Sequence, residues 1–179
     1  MRNRGTRAFV LVAVVAGLLS MKLSAEAAML DVGDPMPEWS LSDHTGKTVS
    51  SKDLAGKTYL LWFYPKAQTP GCTVEGQNLR DQYENFSSQG VEVLGISFDS
   101  PQGNAAFVAA ENFPFRLLSD DGSLAYVVGA AEKGGPKYAR RISYLVGPDG
   151  RVLEAYGRVS PADHATQVLA DLAKSPGGG

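Results

Sequence analysis

Residues 64–75 read Y-P-K-A-Q-T-P-G-C-T-V-E and contain Cys72, the only cysteine among the 179 residues of the chain. Directly before this stretch, residues 58–63 form a continuous apolar run with the length and composition of a buried strand. Thr69 is a good N-cap, and Pro70 suits the first position of a helix. The sequence therefore predicts a strand, a loop and a helix that holds Cys72 in its first turn.

A cysteine at the start of a helix is placed for reactivity. The unpaired N–H groups of the first turn stabilise a thiolate over a thiol, and Gly71 lets a ligand approach the backbone because it has no Cβ. Thr69 offers a hydroxyl beside the sulfur, and Glu75 lies on the same face at i+3 from Cys72. A free cysteine is more often a small buried hydrophobic residue. The strand–loop–helix context and the flanking T-P-G favour a reactive thiol instead.

This stretch resembles the active-site signature of the peroxiredoxins. Pro65, Thr69 and Cys72 match its P-x-x-x-T-x-x-C pattern, and the longer Y-P-K…T-P-G-C-T-x-E form is similar to the peroxiredoxin Q branch, also called bacterioferritin comigratory protein, of the AhpC/TSA family. The likeness extends over about residues 32–172, including V-G-D-x-x-P at 32–37 and R-I-S-Y-L-V at 141–146.

The resemblance implies a thiol-dependent peroxidase that reduces hydrogen peroxide and organic hydroperoxides through a sulfenic acid on Cys72. Thr69 would contact the peroxide, and the amides of Gly71 and Cys72 would act as fixed donors. Pro65 would shield the thiolate from water, although a plain strand terminator is compatible with the sequence.

The same resemblance selects Arg141 as the charge that holds the thiolate and polarises the peroxide. It picks Arg141 over the neighbouring Arg140 because the matched residue stands directly before Ile-Ser-aromatic. From the sequence alone, a solvated arginine is the usual interpretation. Glu75 would orient Arg141, and could equally be a partner of the helix dipole.

Gln77 occupies the position where many peroxiredoxin Q proteins carry a second cysteine. The resemblance therefore implies a one-cysteine enzyme without cofactor or metal, reduced by an external thiol from a thioredoxin-like protein or a small molecule. The alternative is a peroxide sensor or relay that passes oxidation from Cys72 to a partner protein through a mixed disulfide. A copper-handling or dithiol protein is rejected because paired thiols are missing from the sequence.

Residues 1–27 have the pattern of a secretory signal peptide. Three arginines precede an apolar run at 8–21, and Ala25-Glu26-Ala27 matches a small-x-small cleavage site. We therefore expect an exported, periplasmic protein. An uncleaved N-terminal membrane anchor is the alternative, although a spanning helix needs about 20 apolar residues.

Removal of this segment would leave residues 28–179, the size of one domain. The segment carries four basic residues and one acidic residue, so 13 basic and 18 acidic residues would remain, with a formal net charge of −5. This balance argues against nucleic acid or an anionic membrane as a partner. We expect a monomer with a flexible tail at 175–179.

The remaining patterns predict an α/β protein, which the resemblance narrows to a thioredoxin-like fold with peroxiredoxin insertions, a central mixed sheet with helices on both faces. His44 is interpreted as a solvated turn residue, and His164 as a surface or half-buried side chain. The predicted elements are a hairpin at 41–49, a helical turn at 51–54, strands at 58–63, 91–98, 115–118, 141–146 and 152–156, and helices at 69–88, 101–111, 124–128 and from 160 onward.

Overall fold

The computed structural model describes residues 28–135 and 137–174. The strands are β1 (Ser40–Asp43), β2 (Thr48–Ser50), β3 (Thr58–Phe63), β4 (Val91–Ser97), β5 (Arg116–Ser119), β6 (Ile142–Val146) and β7 (Val152–Tyr156). The α-helices are α1 (Pro70–Asp81), α2 (Tyr83–Ser87), α3 (Pro101–Glu111) and α4 (His164–Leu172), and Ser51–Leu54 forms a 3-10 turn.

All the strands join one mixed sheet in the order β2-β1-β5-β4-β3-β6-β7. The central strands β3, β4 and β5 are parallel, and the outer pairs are antiparallel. The sheet confirms the predicted α/β architecture, the hairpin at 41–49 and the bounds of β3. It also places the carboxyl ends of β3, β4 and β5 side by side, which is where loops of an open α/β sheet build sites.

β3 is buried on both of its faces, as its unbroken apolar run predicts. Leu60 and Trp62 point into one hydrophobic cluster, and Leu61 and Phe63 into another. The first cluster also receives one or more residues from each α-helix, among them Leu79, Phe86, Phe107 and Val168. The second is covered by the 3-10 turn and by the turns of residues 122–131.

Three of the predicted helices differ from those in the structure. The helix predicted at 69–88 is interrupted at Gln82, where φ is −100° and ψ is 4°. Residues 124–128 form hydrogen-bonded turns and no α-helix. α4 begins at His164 because residues 160–163 form a separate turn, in which Ser160 Oγ donates to Asp163 Oδ2 at 2.8 Å.

The predicted signal peptide at 1–27 and the predicted flexible tail at 175–179 lie outside the described residues. In the described ranges, no helix combines the length and the apolar character needed to cross a bilayer.

Candidate active site

The site begins at the end of β3, where the chain leaves the sheet through residues 64–69, called here the active-site loop. Tyr64 still donates its backbone N–H to Ile96 O at 3.0 Å. Gln68 has a φ of +60°, in the left-handed region that residues other than glycine adopt rarely. Thr69 is extended, and Pro70 then starts α1. The loop therefore turns the chain sharply and brings Cys72 into the first helical turn, as the sequence predicts.

Cys72 is fully buried, and the backbone around it offers unpaired donors. Thr73 N donates to Thr69 O at 2.8 Å. Among the described residues, no acceptor faces the N–H groups of Gly71 and Cys72. Such free N–H groups at a helix N-terminus attract anions.

Thr69 occupies the N-cap position without capping the helix through its side chain. Its Oγ1 donates to Lys66 O at 2.9 Å, inside the active-site loop. Thr69 makes no hydrogen bond to Cys72 within the described structure, and its hydroxyl lone pairs stay open to a ligand. Pro65 is half-buried and lines a groove of about 300 Å³ that reaches Phe98 and Tyr138.

Arg141 joins two side chains that α1 presents one turn apart. Its Nη2 donates to Cys72 Sγ at 3.4 Å, and its Nη1 donates to Glu75 Oε2. Arg140 points elsewhere and donates to Gly129 O at 3.2 Å. The structure thus brings Cys72, Glu75 and Arg141 together and leaves Arg140 out.

Glu75 is fully buried beneath this contact. Burial raises its pKa to about 7, although the charge of Arg141 and the neighbouring Trp62 indole favour the ionised form. Trp62 Nε1 does not reach hydrogen-bond geometry with the carboxylate. Burial alone would lower the pKa of Arg141, but Glu75 and Cys72 together raise it. The guanidinium is therefore held as a cation beside the sulfur.

His164 lies next to this cluster, and the expectation of a surface or half-buried side chain is wrong. It is fully buried at the start of α4, with Nε2 2.9 Å from Ser143 Oγ and its ring edge-on to Tyr156 at 5.2 Å. Burial and the charge of Arg141 lower its pKa to about 4, so the ring is neutral. The spacing of His164 with Val168 and Leu172, four residues apart on one helix face, is the signal that could have placed it inside.

His44 is half-buried in its turn, where Nδ1 accepts a hydrogen bond from Leu117 N at 3.3 Å. Over the described residues, no group of three or more metal-ligating side chains converges.

Comparisons with known proteins identify the family of the chain. A model of the AhpC/TSA family matches residues 32–155. Peroxiredoxin Bcp of Escherichia coli (strain K12) is 38% identical over 146 residues, covering 78% of this chain and 94% of the relative. Peroxiredoxin Bcp of Bacillus subtilis (strain 168) is 34% identical over 149 residues, covering 80% and 95% respectively.

Solved structures of proteins from the same branch have a similar fold. Peroxidoxin BcpB from Mycobacterium tuberculosis superposes with a TM-score of 0.75 at 31% identity, covering 81% of this chain and 97% of that one. A mutant of PrxQ from Xylella fastidiosa superposes with a TM-score of 0.75 at 29% identity, covering 82% and 98%. The chain therefore belongs to the AhpC/TSA family, in its Bcp/peroxiredoxin Q branch with a single cysteine, and is a thiol-dependent peroxidase.

Proposed function

We propose that the protein reduces hydroperoxides in a one-cysteine cycle in which Cys72 is oxidised to a sulfenic acid and an external thiol restores it. One observation carries the proposal: the Arg141 guanidinium lies between the Cys72 sulfur and the buried Glu75 carboxyl group. A cation fixed at 3.4 Å from the sulfur favours the thiolate, which is the nucleophilic form.

In the first step, the Cys72 thiolate attacks the terminal oxygen of ROOH. The S–O bond forms as the O–O bond breaks, sulfur loses an electron pair, and the leaving RO⁻ takes a proton from solvent to become ROH. Hydrogen peroxide gives water in the same way. The product on the enzyme is the sulfenic acid.

The site residues have distinct roles in this step. The Arg141 Nη2 group and the free N–H groups of Gly71 and Cys72 would stabilise the negative charge that moves across the peroxide. The Thr69 hydroxyl would hold the peroxide in line with the sulfur. Pro65 would limit the access of water to the thiolate.

Glu75 acts through Arg141 and does not contact the peroxide in this scheme. Its position is supported by its ion pair with Arg141 and by its complete burial, which fixes the carboxyl group on α1. It is therefore a positioning residue.

In the second step, an external thiol R′SH attacks the sulfenic sulfur, releases water and forms a mixed disulfide. A second external thiol then attacks the mixed disulfide and regenerates Cys72, with R′SSR′ as the oxidised product. Because the chain has one cysteine, both reducing thiols come from outside.

Peroxide consumption by the purified protein tests the proposal, with a thioredoxin-type dithiol protein or a small monothiol as the donor. We expect sustained consumption with at least one donor and none with Cys72→Ser. A protein that reacts once and then stalls with every small thiol would contradict the cycle and favour the sensor or relay, which needs its own protein partner.

We also propose that the chain is exported to the periplasm after removal of residues 1–27 and acts there as a monomer. The basic start, short apolar run and A-E-A site support cleavage over anchoring. Light scattering of the processed protein at working concentration tests the monomer, and a stable dimer would contradict it.

A further inference from the structure

A buried hydrogen-bond network lies at the carboxyl ends of the three parallel strands, beside the active-site loop. Asn104 of α3 is its centre and is fully buried. Its side-chain oxygen accepts from Tyr64 Oη at 2.6 Å, and Ser97 Oγ lies 3.3 Å from the same oxygen. Its side-chain nitrogen donates to Leu118 O at 3.3 Å and to Ser119 Oγ at 3.1 Å. Both N–H groups of the amide donate and its oxygen accepts, so the orientation of the Asn104 side chain is fixed.

Asp99 connects this network to the active-site loop. Its Oδ2 accepts hydrogen bonds from Ser97 Oγ at 3.0 Å and from Ala67 N at 2.8 Å. Its own N–H donates to Ser97 Oγ at 3.2 Å. Among the described residues, no other N–H group of residues 65–69 has a hydrogen-bond partner. Within the described ranges, the Asp99 carboxylate is thus the only acceptor for a backbone N–H group of residues 65–69, and that group belongs to Ala67.

The active-site loop needs this hydrogen bond because one of its residues has a disfavoured backbone conformation. Gln68 directly follows Ala67 and holds a φ of +60°, a conformation that a side chain with a Cβ disfavours. Residues of this kind persist where the surrounding contacts fix them. Without the bond to Ala67 N, the loop would relax toward commoner backbone angles and carry Thr69 with it.

The network also reaches the surroundings of the sulfur through Tyr64. Burial raises the pKa of the Tyr64 phenol, and the charges of Asp99 and Cys72 raise it further. Tyr64 also belongs to the hydrophobic cluster that contains Cys72, so the network borders the buried surroundings of the sulfur.

We propose that Asp99 is a positioning residue for peroxide reduction. By accepting from Ala67 N, it holds the active-site loop so that Thr69 and the free N–H groups of Gly71 and Cys72 face one peroxide molecule together. The inference rests on the attack of Cys72 on peroxide proposed above. Asp99 acts on the geometry of the peroxide site, whereas Arg141 acts on the charge of the sulfur.

Because Asp99 acts on the loop and not on the charge of the sulfur, two reactions of Cys72 can distinguish a positioning role from a general loss of stability. Peroxide attack needs the aligned loop donors, but alkylation by iodoacetamide needs only the thiolate. The experiment compares the rates of Cys72 oxidation by hydrogen peroxide and of its alkylation, at one pH, in wild type, Asp99→Ala, Asp99→Leu and Asp99→Asn. Asp149→Ala is the matched control, because Asp149 also accepts from a backbone N–H, that of Arg151 at 3.1 Å, in an exposed turn.

We expect Asp99→Ala and Asp99→Leu to slow oxidation by about 10- to 100-fold, with alkylation nearly unchanged. Asp99→Asn should recover most of the oxidation rate, since its side-chain oxygen can still accept from Ala67 N. Asp149→Ala should match wild type in both reactions.

Three results would overturn the inference: unchanged oxidation in the Ala and Leu variants, a parallel fall of oxidation and alkylation, or an Asn variant as slow as Ala. Wild-type Cys72 that resists peroxide altogether would instead defeat the proposed function. Melting temperatures of all variants identify any change that comes from unfolding.

Discussion

Arg141 Nη2 lies 3.4 Å from Cys72 Sγ while Arg141 Nη1 contacts Glu75, so one guanidinium links the thiol to a buried carboxyl group. The two partners of the arginine come from one face of α1, and the arginine itself stands directly before β6. Because β6 is the antiparallel neighbour of β3 and Ile142 pairs with Phe63, the sheet register places the arginine beside the end of β3, where the active-site loop begins.

Arg141→Ala is expected to slow peroxide oxidation of Cys72 by about 100-fold, the effect of removing one main charge donor from an active site. Alkylation of Cys72 by iodoacetamide at a fixed pH should also slow, because the sulfur loses the cation that lies 3.4 Å away. Arg140→Ala is the matched control and should change oxidation by less than about twofold, as substitutions away from a site do. Equal effects of the two substitutions would show that the wrong arginine is assigned to the sulfur.

The stability of the protein should depend on pH through two buried groups with opposite slopes. Glu75 has its pKa raised by burial to about 7 from 4.5, so its stabilising contribution is complete below pH 4.5 and is lost as pH rises through 7. His164 has its pKa lowered by burial to about 4 from 6.5, so its contribution is complete above pH 6.5 and is lost as pH falls through 4. Between these limits the two contributions oppose each other.

Glu75→Gln should therefore become more stable relative to wild type as pH rises from 4.5 to 7. His164→Gln should become less stable relative to wild type as pH rises from 4 to 6.5. In each case the difference in the free energy of unfolding between variant and wild type changes by at most about 1.4 kcal/mol per pH unit, the value for one proton. Urea unfolding at several pH values measures both.

Glu38→Gln is the control for these variants, because Glu38 is 79% exposed and its ion-pair partner Lys52 is exposed as well. This variant shows how much the loss of one exposed carboxyl group changes the free energy of unfolding at each pH. If the difference in the free energy of unfolding between Glu75→Gln and wild type stays constant from pH 4.5 to 7, the buried carboxyl group does not titrate near neutrality.

Gln77→Cys should convert the protein to a form that makes an intramolecular disulfide after peroxide. Residues five apart in a helix have Cα atoms roughly 8.6 Å apart, whereas a disulfide needs about 7 Å or less, so the start of α1 must unwind. The substitution also removes the hydrogen bond from Gln77 Nε2 to Glu111 Oε2, 2.8 Å long, that ties α1 to α3. The intact mass after peroxide should show the loss of two hydrogens.

Gln89→Cys, in an exposed position after α2, is the control and should not form this disulfide. A Gln77→Cys protein that gains oxygen and keeps its second thiol would show that α1 stays closed. The helix packs closely against Phe113 at this point, since a Cβ on Gly76 would lie 2.4 Å from Phe113 Cζ. Unwinding of the start of α1 has to disturb this packing.

The mature chain should begin near Ala28 and be recovered from the periplasm of its native host. The A-E-A pattern before Ala28 is the expected cleavage site. N-terminal sequencing of the native protein decides this. A chain that keeps Met1 and sediments with membranes would support the anchored alternative.

Local patterns predicted much of the fold. The apolar run at Thr58–Phe63 is a buried central strand with the predicted bounds, and Pro70 starts the helix that carries Cys72. Only the family motif distinguishes Arg141 from Arg140, since both arginines precede the same strand and neither has a local signal of its own.

The buried polar residues could not be predicted in the same way. His164 pairs with Ser143, and Asn104 with Tyr64, across distances along the chain that no local periodicity covers. Residues 124–128 have helical composition, but the preceding Asp120 accepts hydrogen bonds from three backbone N–H groups between Gly122 and Ala125 and holds this segment in turns.

We propose that peroxide transfers one oxygen atom to the sulfur of Cys72, and the intact mass of the processed protein after one equivalent of hydrogen peroxide tests this. We expect wild type to gain one oxygen atom on Cys72, to become a thiol adduct when a small monothiol is present, and to return to its starting mass with excess thiol. Cys72→Ser should keep its mass throughout. A wild-type protein that keeps a free thiol while peroxide disappears, or a Cys72→Ser protein that still consumes peroxide, would mean that Cys72 is not the residue that reacts with peroxide.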